Sequence, residues 1–251
     1  MVFFDAHVHF HPAHRADGQL DALAERAASL APGATPALAL LDREGQNHFS
    51  AWREPGQPLD PGGRWRLGRL ADPSCAVLTD GSREVLAFAG RQVAASERIE
   101  AVGLFCRDLF ADGLPLADTL SALRSSGALP MLAWGIGKWL FGRAAVVAAV
   151  LQDAAPDSLL LVDSALRPTF WPEPRLMAAA RRQGLRVLAG TDPLPRSCDA
   201  AAAGRYATLV DGDLDPSAPS ASLRRLLLAP GSEPRMIGSR YTPGEWLRRL
   251  G

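Results

Sequence analysis

The stretch FFDAHVHFHPAHR, residues 3–15, holds four of the chain's five histidines. Residues 2–9 read as a β-strand. Because side chains alternate along a strand, Phe4, Ala6, Val8 and Phe10 are expected on one face and Phe3, Asp5, His7 and His9 on the other. Leu20, Leu23, Ala24, Ala27 and Leu30 then recur at helical spacing, and PGATP (32–36) ends that helix. ALALLD (37–42) is a second apolar run, closing on Asp42. Strand, helix and strand in this order require a crossover, so the chain is expected to open on parallel strands.

From residue 43 to 98 the character changes: HFSAWRE, RWRLGRL and CAVLTDGSREVLAFAG are separated by Gly, Pro and Asp. TDGS (79–82) between two β-rich runs reads as a hairpin, which predicts a small antiparallel β insertion at 43–98. The α/β rhythm then resumes. IEAVGLF (99–105), LPMLAW (129–134), SLLLVD (158–163), LRVLAG (185–190) and YATLV (206–210) read as strands. Helices are expected over 116–126, 143–154, 174–183, 199–203 and 220–228. About seven core strands alternating with helices predict one α/β domain over residues 1–251, a (β/α)7–8 barrel rather than an open sheet.

Hydrophobic residues make up 47% of the chain, ample for a buried core. Lys+Arg and Asp+Glu both number 27, and this balance leads to the expectation of no nucleic acid and no membrane as partner. Cys75, Cys106 and Cys198 are too few and too widely spaced for a disulfide framework or a CxxC zinc site. MVFFDAHVHF has no basic leader or long apolar run, so a reducing, cytoplasmic setting is expected. The oligomeric state is left open.

Catalytic groups of β/α barrels sit at the C-terminal ends of the strands. Those ends carry His7 and His9; Asp42; Cys106, Arg107 and Asp108; Lys138 in WGIGKW; Asp163 and Arg167 in VDSALRP; and Thr191 and Asp192 in AGTDPLP. Two imidazoles at positions i and i+2 can share one ion, with Asp192 adding a carboxylate and Asp5 orienting a histidine from behind. Alternatively, the histidines bond neighbouring carbonyls at a strand end. His11 and His14 read as solvated loop residues and His48 as structural. GIGKWLFGR (135–143) fits neither a P-loop nor a dinucleotide fingerprint. Either its amides, Lys138 and Arg143 hold an anion, or it is a tight turn capped by Trp139. Asp163 and Arg167 are either an internal salt bridge or a substrate contact. No GxSxG elbow is present, and no histidine follows His48.

DAHVHFH (5–11) resembles the first-strand D-x-H-x-H motif of the PHP (polymerase and histidinol phosphatase) group and the wider amidohydrolase-like barrels. LLDREG (40–45) resembles their second-strand TDH segment, with Asp42 in place and Arg43 where the histidine belongs. FAGRQVAASERIEAVGLF (88–105) resembles a further motif, with Gln92 at the expected glutamate and Ala101 or Val102 near the expected histidine. GLRVLAGTDPLP (184–195) resembles the final motif, with Asp192 matching and Leu194 replacing a histidine. Members of that family typically hold three metal ions, and most of the histidines for such a centre are missing here. The resemblance therefore implies a distorted barrel of PHP/amidohydrolase type with a reduced, mononuclear site. It implies a metal-dependent hydrolase acting on a phosphate ester or amide-like bond of a small, anionic substrate. One divalent ion, Zn, Mn or Fe, would be held by His7, His9 and Asp192, with Gln92, Glu97 or Asp163 as a fourth ligand. Asp192 would also accept a proton from water. Lys138 and Arg167 are the other catalytic candidates, and Arg143, Asp163, Asp42 and Gln92 the substrate-binding ones. The replaced ligands leave a second reading open, a non-catalytic barrel that binds a small anion or a protein partner.

Overall fold

In a computed structural model, which describes residues 1–231 and 234–249, the first run forms β1 (Val2–Val8), α1 (Ala16–Leu30) and β2 (Thr35–Asp42). β1 and β2 pair in parallel, as the crossover requires. The alternation expected along β1 holds only for its first half. Phe4 and Ala6 enter the barrel interior, but Val8 and Phe10 join Phe3 in the layer outside it. The cause is a β-bulge: Asp5 pairs with Leu38 and Val8 with Leu40, so three steps on β1 match two on β2. One extra residue inverts the faces of everything after it. Asp5 is thereby separated from His7 and His9, which sequence parity had placed together.

The middle of the chain forms α2 (His48–Ala51), β3 (Arg66–Asp72), β4 (Cys75–Thr79), β5 (Glu84–Ala94) and β6 (Glu100–Leu104). TDGS is the predicted hairpin turn, between β4 and β5. β5, however, is a barrel strand, parallel to β2 and antiparallel to β6. The antiparallel addition is therefore the β3–β4 pair alone, joined to the barrel through β5. Only residues 95–99 separate β5 from β6, too few for a crossover, which makes that pairing antiparallel.

The remainder is α3 (Leu116–Ser125), β7 (Leu129–Ala133), α4 (Gly142–Gln152), β8 (Leu160–Ser164), α5 (Arg175–Arg182), β9 (Val187–Gly190), β10 (Tyr206–Val210), α6 (Pro219–Leu228), β11 (Arg235–Gly238) and α7 (Pro243–Leu247). The helix expected at 199–203 is replaced by a single 3-10 turn, Ser197–Asp199. Along the sheet the order is β11, β10, β1, β2, β5, β6, β7, β8, β9. Alternate residues of these strands, among them Phe4, Ala39, Phe88, Val102, Met131 and Val162, fill the interior. α1 packs outside β1 and β2, and α3, α4 and α5 cover β6 to β9.

The sheet curls until β9 returns to β1, giving a nearly closed, distorted barrel. No regular ladder joins these two strands; side chains and turns make the closure. The Asp192 amide donates to the His7 carbonyl at 2.8 Å, and the Ala189 amide to Thr208 Oγ1 at 2.7 Å. Asp5, on the outer face, accepts from the Thr191 amide (2.8 Å), Thr191 Oγ1 (2.5 Å), the Gly204 amide (2.7 Å) and the His7 amide (3.2 Å). Full burial pushes this carboxyl up to about 6 despite those donors.

Candidate metal centre

Beyond the bulge, His7 and His9 turn to the barrel mouth. The His9 Nδ1–H donates to the Leu41 carbonyl at 2.7 Å, which puts the lone pair of the neutral ring on Nε2. His7 Nε2 lies 3.0 Å from His9 Nε2. At the end of β9, Asp192 takes a left-handed backbone conformation, φ 55°. Its Oδ1 lies 3.5 Å from His7 Nε2 and 3.8 Å from His9 Nε2, while Oδ2 is 3.4 Å from Ser164 Oγ. Both imidazoles are buried, and Asp192 is the partly exposed member of the three. Burial, then the neighbouring His7 and the positive charge of Arg43, hold the His9 pKa well below its usual value. The ring is thus kept in the unprotonated form that a cation needs.

The donor triangle fits a small divalent ion. Bonds of about 2.0–2.1 Å at a tetrahedral angle place neighbouring donors about 3.3 Å apart. The three observed edges, 3.0, 3.5 and 3.8 Å, bracket that value. Among the described residues no other group of three such side chains converges in this way.

Gly190 makes the approach of β9 to His7 feasible. A Cβ at this position would lie 2.5 Å from His7 Cβ and 2.9 Å from the His7 amide nitrogen. Gly190→Ala is therefore expected to destabilise the fold by about 1–3 kcal/mol, the usual range for overpacking. It should also weaken metal binding at least tenfold, because relief of the clash moves Asp192 away from the imidazoles. Urea unfolding and a metal titration on the same variant check both effects.

The other sequence candidates have different surroundings. Asp5 orients no imidazole; it binds backbone across the barrel closure. His11 and His14 are buried rather than solvated, their Nε2 atoms donating to the carbonyls of Pro193 (2.8 Å) and Arg196 (2.6 Å). Asp42 faces outward, accepting from His48 Nδ1 at 2.7 Å and the Phe49 amide at 3.3 Å. Asp163 and Arg167 form a buried two-pronged ion pair of 2.5 and 2.7 Å on the outer face of β8, joined by Tyr206 Oη at 3.1 Å. Of the two readings open for that pair, this geometry is the internal salt bridge. Lys138 pairs with Glu100, and Arg143 donates to the Gly137 carbonyl at 3.1 Å. Trp139 is buried in the core beneath the 135–143 turn, which is the capped-turn alternative. Gln92 is buried at the mouth, on the barrel-facing side of β5, and its Oε1 has no hydrogen-bond partner among the described residues. Glu97 accepts from the Leu116 amide at the start of α3.

Sequence reasoning had treated Arg43 only as a missing histidine. It follows Asp42 and continues the barrel-facing register of Ala37, Ala39 and Leu41, a parity legible once β2 is placed. Its Nε is buried without a partner, and no carboxylate among the described residues pairs with it.

No protein-family model matches the chain, and no curated protein matches it in sequence. Solved structures do share its fold. PsfC from Pseudomonas syringae PB-5123 is 14% identical, with 99% of this chain and 95% of that one covered, at a TM-score of 0.54. The lesion-specific endonuclease PfuEndoQ from Pyrococcus furiosus is 12% identical over 94% of this chain, at a TM-score of 0.51; the match spans 58% of that chain. Endonuclease Q in complex with a 27-mer duplex bearing an abasic lesion is 12% identical over 99% of this chain and 67% of that one, at a TM-score of 0.47. At these identities the likeness is one of fold: a distorted barrel of the PHP type. It also corrects one expectation. The expectation from charge balance that nucleic acid is no partner does not stand, because a lesion-specific endonuclease is among the proteins of similar fold. Net charge sums over the whole surface and is silent on a local groove. No helix among the described residues is long and apolar enough to cross a membrane.

Proposed function

We propose that the chain is a metal-dependent hydrolase of phosphate esters, with His7, His9 and Asp192 as its metal ligands. The observation that carries this reading is the donor triangle at the barrel mouth, in which His9 is held in the correct tautomer by Leu41. A divalent ion bound there supplies an acidified water and polarises a phosphoryl oxygen. The remaining work falls to the chain's own groups. His7 and His9 supply two nitrogen donors. Asp192 has two separate oxygens to use: Oδ1 faces the imidazoles, and Oδ2, which accepts a long 3.4 Å hydrogen bond from Ser164 Oγ, keeps a lone pair for the proton of an attacking water. Arg43, unpaired beside His9, is the cation that meets the charge of the ester, in place of the ion-paired Lys138 and Arg167. A phosphate ester is favoured over an amide because an unpaired guanidinium matches an anionic group.

The test uses tag-free protein loaded in turn with Zn, Mn and Fe(II). It is assayed on phosphomonoesters, phosphodiesters and an oligonucleotide duplex, the last because a protein of this fold is an endonuclease. The reading predicts about one equivalent of metal and hydrolysis of at least one ester class, abolished by chelation and restored by metal. Metal content well below one equivalent after loading, or no hydrolysis across the panel, contradicts it.

A further inference from the structure

Beside the histidines, Arg43 opens into a cleft of about 370 Å3 that also runs along Arg91, Gln92, Val93, Leu109 and Phe110. The two arginines have different work. Arg91 is a structural pin: its Nη atoms donate to the Gln46 carbonyl (2.6 Å), Asn47 Oδ1 (2.8 Å) and the Arg107 carbonyl (3.1 Å), and Asp42 lies 3.8 Å away. It folds the 43–47 loop over the outer side of the cleft. Arg43, by contrast, has no ion-pair partner among the described residues, and its Nε, like that of Arg91, is buried without a hydrogen-bond partner. Gln92 adds another buried polar atom without a hydrogen-bond partner among the described residues, Oε1. Unpaired buried polar groups are costly, and three of them on residues lining one cleft point to a bound group that completes their hydrogen bonds. Glu44, also on the cleft, is exposed and sits at its outer edge. Val93, Leu109 and Phe110 give the opposite character, an apolar wall. The volume lies in the range of small-molecule sites and is too large for a lone phosphate.

We infer that this cleft is a specificity subsite for an organic oxyanion: an apolar body lies against Val93, Leu109 and Phe110 while a phosphate or carboxylate oxygen is held by Arg43. This deepens the hydrolase reading and rests on it for one point only, that the scissile bond lies at His7, His9 and Asp192. The substrate class is then an organic phosphate with an apolar moiety, and Arg43 a specificity-determining residue.

The experiment separates the two readings by using metal-free protein, so that nothing depends on catalysis. Phenylphosphonate and inorganic phosphate are titrated calorimetrically into wild type, Arg43→Ala, Arg43→Lys, Ala111→Trp and the His7→Ala/His9→Ala variant. Wild type is expected to bind phenylphosphonate at least tenfold more tightly than inorganic phosphate, the difference reporting the apolar wall. Arg43→Ala should weaken phenylphosphonate at least tenfold and Arg43→Lys by less. Ala111→Trp, which fills the cleft and leaves Arg43 in place, should also abolish the preference. The histidine variant should bind as wild type does. Thermal unfolding confirms that the Arg43 variants fold, as expected for a side chain with no ion-pair partner to lose. Undetectable binding to wild type, binding unchanged by Arg43→Ala, or binding lost in the histidine variant overturns the inference. Absence of metal binding overturns the hydrolase reading and leaves this result standing.

Discussion

The His7→Ala/His9→Ala variant is expected to lose its high-affinity metal, with dissociation constants weaker by at least about a thousandfold, or about 4 kcal/mol. The two Nε2 atoms, 3.0 Å apart, are the only nitrogen donors of the triangle, and without them Asp192 offers a single, partly exposed carboxylate. Hydrolysis should fall to background with the metal. Alanine keeps the Cβ against which Gly190 packs, so the closure of β9 on β1 survives. The buried His9–Leu41 hydrogen bond and two packed imidazoles are lost with the histidines, so urea unfolding is expected to show a cost of about 1–3 kcal/mol without loss of the fold. Metal titration with parallel unfolding curves checks both halves. Stoichiometric tight binding in a folded double variant would move the metal site elsewhere.

Asp5→Ala is expected to have the opposite profile, a large loss of stability. Asp5 is fully buried and gathers four donors from three segments, the His7 amide, the Thr191 amide and hydroxyl, and the Gly204 amide. Removing it leaves those donors dry and unpaired, at about 1–3 kcal/mol each. Burial of the carboxyl opposes this gain, as its raised pKa shows, so the net loss is smaller than the sum. About 4 kcal/mol is the expected magnitude, a large share of the 5–15 kcal/mol typical of a folded chain. Asp5→Asn should recover only part of it, since its amide sets an N–H against N–H donors. Equilibrium unfolding in urea measures the series; an Asp5→Ala variant within 1 kcal/mol of wild type would show that the closure is held by other contacts.

The barrel was largely legible in the chain because its strands are short apolar runs punctuated by helices of regular period. Three features escaped, each for a physical reason. The β1 bulge has no local signal: all of Val2–Val8 is buried, and Asp5, His7 and His9 fall on one parity, so strict alternation is what the sequence alone suggests. β5 read as an arm of the insertion because the TDGS turn looks the same whichever strand its second arm joins; pairing with β2 is a long-range choice. β11 is half exposed and lacks an apolar run, so it left no pattern to read. The site divides similarly. His7, His9 and Asp192 were found from strand-end position and motif. Glu100, the partner of Lys138, lies on another strand and could not be read beside it, whereas Arg167 lies four residues from its partner and was readable as a salt bridge. Arg43 was visible as a residue but not as an unpaired charge, which only the folded surroundings define.

The central claim, that His7, His9 and Asp192 bind a divalent ion, is tested most directly by an anomalous-scattering map from crystals soaked with zinc or manganese. The account predicts one strong peak about 2.0–2.2 Å from His7 Nε2, His9 Nε2 and an Asp192 carboxylate oxygen. No peak at the barrel mouth under full loading, or a peak held by other side chains, would contradict it.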